Sequence, residues 1–129
     1  MKILIADDNP NIRSLIIQLL SPCIKDCEFL QAEDGLEAIE TYQSKHPEII
    51  LMDIMMEKLD GLSALKKIRA ISEEVCIIII SQLPDSEYKP ESISMGADAY
   101  LNKENLTQLP VMINKFLTNI QTRRIERTK

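Results

Sequence analysis

The sequence predicts a doubly wound α/β domain, a five-stranded parallel sheet with helices on both faces, and three observations carry that expectation. Short aliphatic runs alternate with longer stretches of helical periodicity, strand then helix five times over. The first, third and fourth runs, residues 3–6, 49–52 and 75–80, are nearly continuous rather than alternating, the pattern of strands buried on both faces of a parallel sheet. At 129 residues the chain fits a single domain and hides enough surface to fold without a metal or crosslink.

The remaining strand candidates are residues 27–32 and 97–101. The first helix is marked by Asn9 as a cap, Pro10 in the first turn and an apolar stripe of Ile12, Leu15, Ile16 and Leu19. Leu36, Ile39 and Tyr42 outline the second, which His46-Pro47 closes, and Leu62, Leu65 and Ile68 outline the third. Pro90 falls where the fourth should run. A proline inside a helix removes a hydrogen bond, so that helix is expected to start late, near Lys89 or Pro90, after a mobile loop. Leu109, Met112, Ile113, Phe116 and Ile120 mark the fifth. The domain is expected to end near residue 120, leaving 121–129 as a basic tail, either the last turn of a helix or the start of a linker.

Composition narrows the function. Net charge is −5, and residues 121–129 carry a local +3, which leaves −8 for residues 1–120. An acidic body is a poor partner for a phosphate backbone, so no direct nucleic-acid binding is expected. Cys23, Cys27 and Cys76 form no Cys-x-x-Cys pair, and Cys76 sits in an apolar run as a core residue. With no signal-like or membrane-length apolar stretch, a cytoplasmic location is expected. His46, the only histidine, reads as a solvated loop residue.

In open parallel sheets ligands bind beyond the carboxyl ends of the strands. There the sequence places Asp7-Asp8, Asp53, Ser81 and, two residues past the fifth strand, Lys103. In the flavodoxin-like strand order 2-1-3-4-5 these side chains converge. Three carboxylates repel one another, by about 4 kcal/mol per pair at ~4 Å and an effective dielectric of 20. A hard divalent cation such as Mg²⁺, which takes one or two carboxylates plus a phosphate, would relieve that repulsion. Lys103 and Ser81 could then hold phosphoryl oxygens.

With Asp7-Asp8, Asp53-Ile54-Met55-Met56, Asp60-Gly61, Ser81, Gly96-Ala97 and Tyr100-Leu101-Asn102-Lys103 in order, the chain resembles a response-regulator receiver domain of two-component signalling, over roughly residues 1–120. The resemblance implies that Asp53 accepts a phosphoryl group from a phosphohistidine on a sensor histidine kinase or phosphotransfer protein. It implies Mg²⁺ held by Asp8, Asp53 and the backbone carbonyl of Met55, with Asp7 acting through water, and phosphoryl oxygens received by Ser81 and Lys103. Ser81 and Tyr100 would be the switch pair, Tyr100 turning inward so that the fourth helix, fifth strand and fifth helix are remodelled for an effector protein. Such a domain assists its own phosphorylation and dephosphorylation and is not otherwise an enzyme. With no output domain in these 129 residues, the chain resembles receivers that act alone.

The pattern is broken in places. Glu57 stands where the family has proline and is expected to point into solvent. Glu104 replaces a proline that follows a cis bond, and the Lys103–Glu104 bond is expected to be trans, because a cis bond before a non-proline residue costs about 3 to 4 kcal/mol. Met55 and Leu83, apolar where an attacking water would be oriented, predict a long-lived phosphoryl state. Two rivals stand beside the receiver: a protein-binding module that is never phosphorylated, and a small Mg²⁺-dependent phosphatase using an aspartyl nucleophile. The phosphatase family wants Asp-x-Asp after the first strand, which Asp7-Asp8 does not supply. Gly35, Gly61 and Gly96 cannot assemble a nucleotide-binding loop.

Overall fold

In a computed structural model the five runs form one parallel sheet, β1 (Lys2–Ala6), β2 (Glu28–Ala32), β3 (Ile49–Met52), β4 (Cys76–Ser81) and β5 (Ala99–Asn102), in the order β2-β1-β3-β4-β5. The structure describes residues 1–128, and side chains as far as residue 122. The helices are α1 (Pro10–Leu20), α2 (Gly35–Lys45), α3 (Gly61–Ile71), α4 (Asp85–Ser94) and α5 (Leu109–Thr128), with a 3₁₀ segment, Lys103–Gln108, ahead of α5. The doubly wound expectation holds. Backbone helix continues through most of 121–129, while the side-chain charge of that basic tail lies outside the described residues.

Side chains alternate across the strands and divide the core in two. Leu4, Ile50, Met52, Ile77 and Ile79 face α2 and α3, whereas Ile3, Ile5, Leu51, Ile78 and Ile80 face α1 and α5. On both faces the central-strand side chains are almost wholly buried, which is why these strands read as unbroken apolar runs. Cys76 packs in the second layer as expected.

Two helical stripes are rotated from the expectation. The buried face of α1 is Arg13, Ile16 and Leu20, with Leu15 exposed, and that of α2 is Gly35, Ala38 and Tyr42, with Leu36 exposed. In α2 the small Gly35 and Ala38 take sheet-facing places and Leu36 turns outward, whereas in α1 Ile16 and Leu20 stay buried and the amphipathic Arg13 joins them in place of Leu15. His46 is exposed and ends α2 in the left-handed region, at φ 51°.

The late start expected for α4 is wrong. The helix begins at Asp85 and carries Pro90 in its interior. The carbonyl deprived of a donor by Pro90 is that of Ser86, four residues back, and Ser86 and Pro90 are both exposed, so water can take the place of the lost bond. The true start signal is Pro84 followed by acidic Asp85 and Glu87, charges that suit a helix N-terminus. The preceding loop, expected to be mobile, is hydrogen-bonded at Leu83 on both its N–H and its carbonyl. Between α4 and β5 the chain turns through Gly96 at φ 112°, where a Cβ would meet the side chain of Arg69 from α3.

Candidate functional site

Asp7 and Asp53 follow directly on β1 and β3, neighbours at the centre of the sheet, and the pairing ladder carries on past the strands as Asp53 N–H donates to the Ala6 carbonyl at 2.9 Å. Asp60 caps α3 by accepting from Ser63 N–H at 2.8 Å, and Gly61 N–H donates to the Ile54 carbonyl at 2.8 Å. That approach demands glycine, because a Cβ on residue 61 would collide with the carbonyl oxygen of Asp53. The Asp60-Gly61 pair thus locks the segment bearing Asp53 against the helix that follows it.

The carboxylates of Asp7, Asp8 and Asp53 each offer an oxygen within 4.8 Å of the other two. Asp7 and Asp53 are buried, at 3% and 6% exposure, and Asp8 opens to solvent. Lys103 reaches between the buried pair: its Nζ lies 2.8 Å from Asp7 Oδ2 and 3.2 Å from Asp53 Oδ2. The second oxygen of Asp53 accepts from Ile54 N–H at 2.8 Å, and that of Asp7 from Asn9 N–H at 2.9 Å. Ser81 closes β4, buried, its Oγ accepting from Leu83 N–H at 3.0 Å.

Burial, then the nearby charge of Asp7, pushes the Asp53 carboxyl up to about 6, against the opposing pull of Lys103 and the Ile54 N–H. Burial alone would lower the Lys103 ammonium. Its hydrogen bond to Asp7 and the charges of Asp53 and Asp7 outweigh that and hold it above its ordinary value. Two clustered acids with one lysine between them therefore leave a net negative, all-oxygen site beside an exposed carboxylate. Among the described residues this trio is the donor set that fits a hard divalent ion such as Mg²⁺, whose charge would offset the same repulsion that raises Asp53.

Of the expected residues, Asp7, Asp8, Asp53 and Lys103 meet in one cluster, and Ser81 ends the adjoining strand β4. Met55 follows in the loop with its side chain 64% exposed, and Leu83 is half-buried. Tyr100 is already turned inward: its ring is buried and its hydroxyl donates to the Leu83 carbonyl at 2.7 Å. Burial raises its phenol, partly offset by a hydrogen bond with Ser81. Glu57 is exposed as expected, yet it does not stand apart from the site. With Asp8, Glu33, Asp34 and Lys58 it lines a polar cavity of about 220 Å³. The described residues contain no cis peptide bond, so Lys103–Glu104 is trans.

One residue escaped the sequence reading. Arg13 is buried on α1 and donates through Nη1 to the backbone carbonyl of Asp7 and through Nε to Gln31 Oε1 at 2.9 Å. The signal was there: a charged residue in register with Ile16 and Leu20, three and seven positions on, has to find buried acceptors.

The family model of the response regulator receiver domain matches residues 3–114. A probable transcriptional regulator, ycf27, of Porphyridium aerugineum is 35% identical over 102 residues, covering 79% of this chain and 41% of that protein. The chain spans about two fifths of the length of the curated relatives of this kind. The receiver domain of Francisella response regulator 1452 superposes with a TM-score of 0.83 at 31% identity, covering 92% of this chain and 98% of that one. A chain in the CheX-CheY-BeF3-Mg²⁺ complex from Borrelia burgdorferi gives a TM-score of 0.75 at 26% identity, with 80% and 78% covered.

Proposed function

The chain belongs to the response regulator receiver domains of two-component systems, and from that premise we propose that Asp53 is its phosphoacceptor. The observation that carries this is the junction at Lys103, whose ammonium bridges Asp7 and Asp53 while Asp8 offers an oxygen within 4.8 Å of one on each. An Asp53 oxygen attacks the phosphorus of a phosphohistidine, the phosphorus–nitrogen bond breaks, and the imidazole leaves. Phosphoryl transfer asks a protein chiefly for in-line placement and for neutralisation of the equatorial oxygens. Lys103 supplies a fixed positive charge beside Asp53, and the Ser81 hydroxyl at the next strand end offers a donor.

Asp8, Asp53 and the Met55 carbonyl would hold Mg²⁺, with Asp7 acting through water. Bound there, the ion supplies charge neutralisation to the phosphoryl oxygens. The Borrelia complex, with BeF3 and Mg²⁺ in its name, supports the reading for this chain. Ser81 and Tyr100 form the switch. Tyr100 inward, with its hydroxyl on the Leu83 carbonyl, is the loop arrangement that a phosphoryl group on Asp53 would favour, a shift of population. The apolar Met55 and Leu83 cannot orient water, so the phosphoryl state is long-lived.

Receivers of this family exchange signals with kinases or phosphotransfer proteins and with effectors. Here the effector surface would be α4, β5 and α5. No described helix is long and apolar enough to cross a membrane. The test is the mass of the intact protein after incubation with acetyl phosphate and Mg²⁺. One phosphoryl group is expected on wild type and none on Asp53→Ala. An unmodified wild type that also fails to bind beryllofluoride would favour the unphosphorylated protein-binding module.

A further inference from the structure

Asn102, the last residue of β5, stands beside Lys103 and spends its whole side chain on three bonds. Its Oδ1 accepts from Glu104 N–H at 3.0 Å, capping the 3₁₀ segment. Its Nδ2 donates to the Leu83 carbonyl at 3.3 Å and to Asp85 Oδ1 at 3.1 Å. That same Leu83 carbonyl receives the Tyr100 hydroxyl, and the Leu83 N–H is held by Ser81 Oγ. One amide therefore joins the segment bearing Lys103, the loop leaving Ser81 and the first residue of α4.

The N-terminus of α4 has little else to hold it. Pro84 gives it no side-chain cap, and Asp85, Ser86 and Glu87 are exposed. Resting on the reading of Ser81 and Lys103 as the groups that receive phosphoryl oxygens, we propose that Asn102 is a positioning residue that relays the state of the Asp53 site to the N-terminus of α4. A shift of Lys103 toward a phosphoryl group moves the backbone of its neighbour. Asn102 then carries that shift to Leu83 and Asp85, on which α4 begins.

Capping alone would be a local role, and Asn102→Ser separates the two. Serine caps about as well as asparagine but is too short to reach Asp85. Asp85→Ala, at an exposed position, removes the other end of the tether without touching the cap. The measurement is amide hydrogen exchange at Glu87 and Tyr88, whose N–H groups bond to the Pro84 carbonyl at 3.3 and 3.0 Å. Without ligand, exchange there should quicken on the order of fivefold in Asn102→Ser, as loss of one or two net hydrogen bonds implies, and less in Asp85→Ala. With beryllofluoride and Mg²⁺, wild type should respond both around Asp53 and in α4. Asn102→Ser should keep the first response and lose the second. Wild-type exchange in both variants, or a full α4 response in Asn102→Ser, would overturn the relay. A wild type that shows no response anywhere would sink the phosphoacceptor reading and the relay with it, and the unliganded rates alone would then still judge the tether.

Discussion

Helices α3 and α4 follow the neighbouring strands β3 and β4, are of nearly equal length, and are held in opposite ways. Helix α3 has a side-chain cap from Asp60, a glycine seated against the Asp53 carbonyl, and Gly61, Leu62, Ala64, Leu65 and Ile68 buried. Helix α4 has no side-chain cap, a proline in its interior, and only Ser92 buried. One helix fixes the carboxylate that needs exact placement. The other belongs to the face proposed above for an effector, and weakly packed elements are the ones free to shift by small free energies.

The contrast can be tested by truncating each helix. Leu65→Ala, at a fully buried position, should cost 2–5 kcal/mol in urea unfolding. Ile93→Ala on α4, at a position 43% exposed, should stay within about 0.5 kcal/mol. Comparable losses would break the comparison.

A smaller effect belongs to the charge that α3 helps to bury. The folded Asp53 carboxyl titrates near 6, above its ordinary 3.8, so between those values the folded state binds more protons than the unfolded one. Stability therefore falls as pH rises from about 4 to 6 in Mg²⁺-free buffer and levels off above that. In Asp53→Asn this part of the decline should vanish, a difference of about 1–2 kcal/mol once solvent screening trims the shift. An unchanged pH profile would show that the carboxylate is not held at a cost. The smallest effect is expected on α4 itself. Pro90→Ala restores a missing hydrogen bond and should slow amide exchange within α4 while raising global stability by less than about 1 kcal/mol, because the helix buries so little.

The two helices also differ in how far they could be read in advance. The Leu62, Leu65, Ile68 stripe announces α3, because helical period is a local property of the chain. Helix α4 misled because Pro90 was weighed as a breaker, whereas its exposed setting made the missing bond tolerable. The stripes of α1 and α2 were misjudged by one position for a related reason. Which face of an amphipathic helix meets a sheet depends on how closely it can approach, and Ala38 and Gly35 allow a closer approach than Leu36.

The candidate site was largely legible, since strand ends in a parallel sheet lie along one edge and chain order alone puts Asp7, Asp8, Asp53, Ser81 and Lys103 there. The bridge of Lys103 between Asp7 and Asp53 was not, nor the grip of Arg13 on the Asp7 carbonyl. Sequence alone determined the strands, their burial and the acids at their ends, because hydrophobic period and residue chemistry are written one residue at a time. Tertiary structure decided which oxygen faces which cation, how far burial lifts the Asp53 carboxyl, and what ties α4 to β5. Those depend on distances of a few ångströms between segments some twenty to fifty residues apart, which local pattern does not encode.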